Sequence, residues 1–392
     1  MRPVKIKIEG TFWDSQIYSG ELILIDVNGS LHRIDWNEAV DVIAKKFPLF
    51  ETAVRVSFSD GELFYNPKVT KVFNDPTIKP IVISQLESLS EADVTERFSS
   101  RNSFWSEEKY PFSFLPSDTE IYYSRFFAAG EEGLFSTTKS NIGSKYNKGE
   151  VIKHHDSNVI QVKASENAGA IAIAAGNDGL FDFPFNRHLK GGLKAPRNIA
   201  DIPCNICDWA FQSVIGSTLF NSYFVKFREE KVNDKKVRVF DSIISDNEIF
   251  GSINSEKNIV WGSREKMYRI SSSGLEIVNY NAKNKKTDDF SAKGYFNFSN
   301  SNEIKPEEID DVISTGVAPF GTILEFSDKV LVIRSDGFID IFKGELVHWR
   351  IFPRSEHYSN QLHLIYEDRI EIISFVHDYF VDQENKIFGF SR

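Results

Sequence analysis

The chain has 392 residues, room for two or three domains at roughly 150 residues each. Its 46 Lys and Arg against 56 Asp and Glu give a net charge of −10, which argues against nucleic acid or an anionic membrane as the main partner, because phosphate binding needs clustered positive charge. A hydrophobic fraction of 41% excludes general disorder, and 34 Phe against 2 Met predict a core built from aromatics.

From the N-terminus, Val4-Lys5-Ile6-Lys7-Ile8 alternates apolar and polar residues, a strand pattern and not a secretion signal. Residues 21–26 and 31–36 flank Asn28-Gly29, a dipeptide suited to a type I′ hairpin turn because both central residues need positive φ. Residues 37–47 read as a helix capped by Asn37, with Val40, Ile43, Ala44 and Phe47 on one face and Pro48 as its stop. A second hairpin is expected from 54–59 and 63–65 around Asp60-Gly61, and a second helix over 90–98 capped by Ser90. Further hairpins follow at Gly133, at Asp178-Gly179, at Gly274, at Asp336-Gly337 and at Glu367-Asp368, with strand material over 219–228. A shorter pattern, aromatic-x-Ser-x-apolar, starts at Trp13, Tyr122, Phe211 and Phe240 and predicts inner strands of a repeat. Insertions are expected near 37–50, 84–116, 136–150, 184–210 and 281–310. No apolar run approaches a membrane span, so a soluble, cytoplasmic protein without a membrane partner is expected.

The turn glycines Gly29, Gly61, Gly133, Gly179, Gly274 and Gly337 lie 32, 72, 46, 95 and 63 residues apart. Halving the two long gaps brings them near the roughly 40–50-residue repeat of propeller blades. In this repeated hairpin the chain resembles the β-propeller superfamily over nearly its full length, without the regular Gly-His and terminal Trp-Asp pattern of WD40 repeats. The resemblance implies an all-β fold: a single β-propeller over residues 1–392, about seven blades of antiparallel strands with six or eight allowed, carrying short helical and loop insertions. It also implies a ring closed by pairing the N-terminal strand with the strands after Gln361. The rival architecture is two β-rich domains split near residue 200.

Chemistry is sparse. Cys204-Asn205-Ile206-Cys207 is a CxxC without a second pair. Cys204, Cys207 and His188 are weak metal candidates, and two small packed thiols are the simpler reading. In His154-His155-Asp156 adjacent side chains on an extended segment point opposite ways, which disfavours one shared ion. No Gly-x-Ser-x-Gly elbow, His-Glu-x-x-His, Walker A or dinucleotide fingerprint occurs, and no cofactor is expected. Two aromatic clusters read as candidate partner-binding patches: Phe183, Phe185, Arg187 and His188 in one, Phe104 and Trp105 in the other. The alternative is that these aromatics cap the core under long loops.

The expected function is non-catalytic: a propeller that binds another protein as scaffold, sensor, or regulator or inhibitor of an effector enzyme, with recognition placed on loops of a rigid frame. The alternative is a metal-assisted hydrolase or lactonase with carboxylates converging on a central channel. A lectin-like propeller is disfavoured because the six Trp do not recur at a blade period.

Overall fold

The computed structural model describes residues 2–60, 66–139, 150–252, 257–282, 289–298, 303–381 and 386–390. Strand β1 (Val4–Glu9) precedes β2 (Phe12–Tyr18), β3 (Glu21–Asp26) and β4 (Ser30–Asp35). Four helices follow, α1 (Trp36–Lys46), α2 (Glu51–Phe58), α3 (Pro67–Phe73) and α4 (Ile78–Glu91), then β5 (Thr95–Glu96) and β6 (Trp105–Lys109). Next come β7 (Asp118–Tyr122), β8 (Arg125–Gly130), β9 (Gly133–Thr138), β10 (Ile152–His155), β11 (Gln161–Ser165), β12 (Ala170–Ala174), β13 (Leu180–Pro184) and β14 (Arg197–Ala200). They are followed by β15 (Ile206–Ala210), β16 (Ser213–Ser217), β17 (Ser222–Val232), β18 (Lys235–Ser245), the short α5 (Asp246–Phe250), β19 (Ile259–Ser263), β20 (Lys266–Ser271), β21 (Gly274–Tyr280) and β22 (Phe290–Phe296). The chain ends with β23 (Ser314–Ala318), β24 (Gly321–Glu325), β25 (Lys329–Arg334), β26 (Ile339–Lys343), β27 (His348–Ile351), β28 (Gln361–Ile365) and β29 (Arg369–Ser374).

These strands form seven sheets, the blades of a seven-bladed β-propeller. Contacts group the chain into two compact units, residues 1–110 with 316–392, and residues 111–315. The first holds β2-β3-β4-β6, β23-β24-β25-β26 and β27-β28-β29-β1-β5. The second holds the sheets β7 to β10, β11 to β14, β15 to β18 and β19 to β22. Inside the first unit β1 pairs antiparallel with β29, from Val4↔Ser374 to Glu9↔Arg369, so the N-terminal strand completes the C-terminal sheet. Two residues of β5 then extend that sheet in parallel along β1.

The recurring hairpin joins the second and third strands of these sheets. Gly29, Gly133, Gly179 and Gly274 all sit there with positive φ, and Gly337, also at positive φ, sits one strand later, between the third and fourth strands β25 and β26 of its sheet. At Gly179, φ is +97° and a Cβ would collide with the Ala200 carbonyl of the neighbouring strand, so only glycine fits. The β16–β17 turn manages without glycine, through the Thr218 Oγ1, which accepts from the backbone N–H groups of Phe220 and Asn221.

Several expectations do not survive. Residues 54–58 are helix α2, not a strand: Val54 and Phe58, with Ala53 and Ser57, form one buried stripe at i, i+4 spacing, and Arg55 pairs with Glu51 across one turn. The predicted Gly61 turn and the strand at 63–65 lie outside the described residues. Helix α1 is capped by Asp35, whose side chain accepts from the Glu38 N–H at 3.1 Å, and Asn37 is already inside it. The helix expected to start at Ser90 instead ends there, because α4 uses Leu86 and Leu89 to reach the core. The aromatic-x-Ser pattern is no structural repeat: Trp13 lies on β2, Tyr123-Ser124 and Phe211 lie in tight turns at positive φ, and Phe240 lies on β18. The 281–310 insertion contains β22, and much of the 136–150 insertion, 140–149, lies outside the described residues.

Helices α1, α2 and α4 cover a core shared with β1 to β4. Trp36, Val40 and Ile43 are buried in it, each large side chain contributing about 1.5–3 kcal/mol. The Trp36 Nε1–H donates to the Phe58 carbonyl at 2.7 Å, which locks α1 to α2.

Candidate interaction surface

Along β13 the side chains Phe181, Asp182 and Phe183 alternate between faces. Phe183 is fully buried among Phe127, Val162, Ile171 and Ile173, so it is a core residue and not a partner contact. Phe104 is likewise buried, edge-on to Phe98 at 5.1 Å. Trp105, half-buried on β6, packs 4.7 Å from the His32 ring. In both clusters an apolar side chain adjacent to a strand interior gains more from the core than from solvent.

The remainder of the first cluster forms a folded loop. Phe185 bridges Leu193, the Asn186 N–H donates to the Gly192 carbonyl at 2.8 Å, and the Asn186 side chain accepts from the His188 N–H at 3.0 Å. Arg187 and His188 are exposed at its tip. Phe185 stacks on the exposed Tyr123 ring, 4.6 Å between centroids and 18° between planes.

Beside this loop stands a feature absent from the sequence-based expectations. Strands β17 and β18 run eleven residues each, whereas β16 pairs with β17 only from Ser222 to Val225. The rest is a two-stranded ribbon, closed by Asn233-Asp234 with φ of 49° and 60°, both left-handed as a type I′ turn requires. One face of the ribbon returns to the body. Arg238 lies 3.4 Å over the Phe227 ring, donates to the Gln212 carbonyl at 2.6 Å, and pairs with Asp182. Asp182, fully buried, also receives Arg197 through two bonds of 2.7 Å. Two guanidinium groups thus converge on one carboxylate. The other face exposes Val232 (48%) and Val237 (42%), and Phe240 is 49% exposed at the base. A cleft of about 350 Å³ opens between ribbon and β14, lined by Arg197, Asn198, Ile199, Phe227 and Phe240. The Asn-Asp turn and the flanking alternation were a readable hairpin signal for this ribbon.

The metal candidates are not brought together. Cys204 and Cys207 are buried free thiols among Trp209, Val214 and Tyr223, and burial pushes the Cys204 thiol up to about 11. His188 is exposed on the loop tip. His154 shares a 2.8 Å hydrogen bond with Ser136 and is lowered to about 4 by burial and then by Arg125, while His155 engages Ser157 at 2.7 Å. Among the described residues, no three His, Cys, Asp or Glu side chains form a group able to hold a metal.

A Ser–His pair does occur: Ser15 Oγ lies 2.8 Å from His363 Nδ1. Both residues are buried between β2 and β28, and burial lowers the His363 imidazole to about 3. Beside it Asp14 takes a bidentate Arg350 at 2.7 Å per bond. The carboxylates of the first strands in the second unit are engaged as well. Asp118 accepts from the Val162 N–H at 2.8 Å, and Asp208 from the Gly262 backbone.

No known family profile and no curated protein matches the chain. Among solved structures it is similar to the WD40 β-propeller domain of Doa1, at 7% identity over 95% of this chain and 96% of that one, TM-score 0.48. It is also similar to the β-propeller domain of Myceliophteria thermophila Cps50 (Swd1), at 8% identity over 93% and 96%, TM-score 0.49. A third, the AfRom2 CNH domain, shares 11% identity over 66% of this chain and 93% of that one, TM-score 0.35. By the order and pairing of its own seven sheets, the chain is a seven-bladed β-propeller.

Proposed function

We propose that this propeller is a non-catalytic interaction protein, binding a partner effector on the surface made by the 184–196 loop and the β17–β18 ribbon. One observation carries the reading. The ribbon extends past the strand that anchors it and leaves Val232, Val237 and Phe240 about half exposed, so each forgoes roughly half of the about 1.5–3 kcal/mol that full burial supplies. A projecting two-stranded ribbon is marginal alone, and here Arg238, Phe227 and Asp182 brace it in place. Such bracing lowers the ordering cost of docking. Loop tip and ribbon both rise from the second unit, so recognition residues sit on one framework.

The test is site-specific photo-crosslinking in the native source. Phe240→p-benzoylphenylalanine and Val237→p-benzoylphenylalanine should each yield one dominant adduct, the same protein, while Val27→p-benzoylphenylalanine yields none. Val27 is as exposed, at 45%, but lies on the β3–β4 turn. Equal adducts at all three positions, or none at 237 and 240, would overturn the assignment.

A further inference from the structure

Resting on that reading, we infer that the surface recognises an acidic peptide segment of its partner, one carboxylate-bearing residue seating in the Arg197 cleft beside an apolar neighbour held by Phe240. The first support is charge distribution. In a chain of net charge −10, residues 183–200 carry Arg187, Lys190, Lys194 and Arg197 and no carboxylate at all. The adjoining strands β17 and β18 carry six Lys and Arg against three Asp and Glu. Lys190 pairs with Glu150, and on the ribbon Lys226, Arg228 and Lys236 pair with Asp241, Glu230 and Glu229, so the local positive charge beside the exposed ribbon rests on Arg187, Lys194 and Arg197 of the 183–200 segment.

The second support is the cleft itself. Asp182 is one buried carboxylate facing two guanidinium groups, so the site keeps one uncompensated positive charge. Arg197 is held by two hydrogen bonds to Asp182 yet remains 44% exposed, which fixes its planar fork while leaving the group open to a ligand. One surplus charge suits a monoanion such as a carboxylate. A nucleic-acid backbone, repeating one phosphate per nucleotide, needs a longer basic track than this and is repelled by the acidic remainder of the chain. Phe227, Phe240 and Ile199 supply an apolar wall that a phosphate backbone does not use.

Fluorescence anisotropy tests this with three labelled probes: a ten-residue peptide of Asp-Phe repeats, the same peptide with Asn for Asp, and a fifteen-nucleotide oligothymidylate. The Asp peptide should bind at least tenfold tighter than the Asn peptide, with affinity falling as salt rises. Arg197→Gln should remove most of that difference while leaving the Asn peptide unchanged. Because Arg197 braces Asp182, the double variant Arg187→Gln, Lys194→Gln is a second arm; both residues are exposed, and it should weaken the Asp peptide severalfold without altering the thermal transition. Equal binding of Asp and Asn peptides, tighter binding of the oligonucleotide, or no binding of the Asp peptide each defeats the acidic-partner inference. In those cases a persistent crosslink at Phe240 still upholds the interaction surface, whereas loss of that crosslink removes both.

Discussion

Asp118 opens β7, Gln161 opens β11, and Asp208 is the third residue of β15. Each accepts a backbone N–H from the first strand of the next sheet: Val162 at 2.8 Å, Cys207 at 2.7 Å, and Gly262. Polar side chains thus join successive sheets of the second unit. Burial chiefly raises the Asp208 carboxyl to about 7, against opposing help from Lys163 and the Gly262 N–H. In the unfolded chain an aspartate releases its proton near 4. Between roughly pH 4 and 7 the native state therefore holds a proton that the unfolded state has lost. This group's stabilisation is complete below about pH 4 and disappears as pH rises through about 7. Asp208→Asn, which keeps an acceptor for Gly262, should consequently flatten the decline in stability between pH 5 and pH 8. Urea midpoints of parent and variant at both pH values check this, and parallel lines would refute the role of Asp208.

At the scale of elements, the ribbon is separable from the sheet that carries it. Beyond Glu229↔Arg238 its residues pair only with one another. Replacing residues 230–237 by Asn-Gly keeps the register of that pair and supplies a type I′ turn. Stability should stay within about 0.5 kcal/mol, as for surface changes that touch no core, while the crosslinkable surface at Val237 is lost. A large drop in urea midpoint would instead make the ribbon a structural brace. The ribbon also shows where sequence reasoning reached its limit. Its strand character was legible in 219–228, but the same alternation fits a four-stranded sheet and a projecting hairpin equally, because strand period is blind to how long a partner strand continues. The apparent hairpin at 54–59 failed for a related reason. Val54, Val56 and Phe58 satisfy a two-residue period, yet Val54 and Phe58 also lie one helical turn apart, and packing on α1 and α4 selects the helix.

For the whole molecule, the pairing of the first strand with the last carries the greatest weight. Val4, Ile6 and Ile8 are all buried in the core that β1 shares with β29 and the helices. Losing three such side chains costs roughly 2–5 kcal/mol each, comparable with the roughly 5–15 kcal/mol margin of an entire fold. Deleting residues 1–10 also bares the edge of β29, a template for aggregation. The truncated chain should show no cooperative thermal transition and should elute from size exclusion as aggregate. A monomer with a sharp transition would show that the strand is dispensable.

Most of the hairpins, their glycine turns and their alternating strands are local properties that the sequence by itself determined, together with an all-β propeller of about seven blades; it did not separate seven from six or eight, and it misread the helix at 54–58 as a strand. Turn type depends on two adjacent residues and strand pattern on the next neighbour but one, so both can be read without knowing what lies opposite. Burial depends on the whole surround. Only the tertiary structure decided that Phe183 and Phe104 face inward, that Phe185 is half-buried against the same core while Arg187 stays at the surface, and that Cys204 and Cys207 are buried. It likewise decided that Asp182, Arg197 and Arg238, spread over 56 residues of chain, meet beside an exposed ribbon. Solvent exposure and charge convergence are properties of three-dimensional proximity, which no period along the chain encodes.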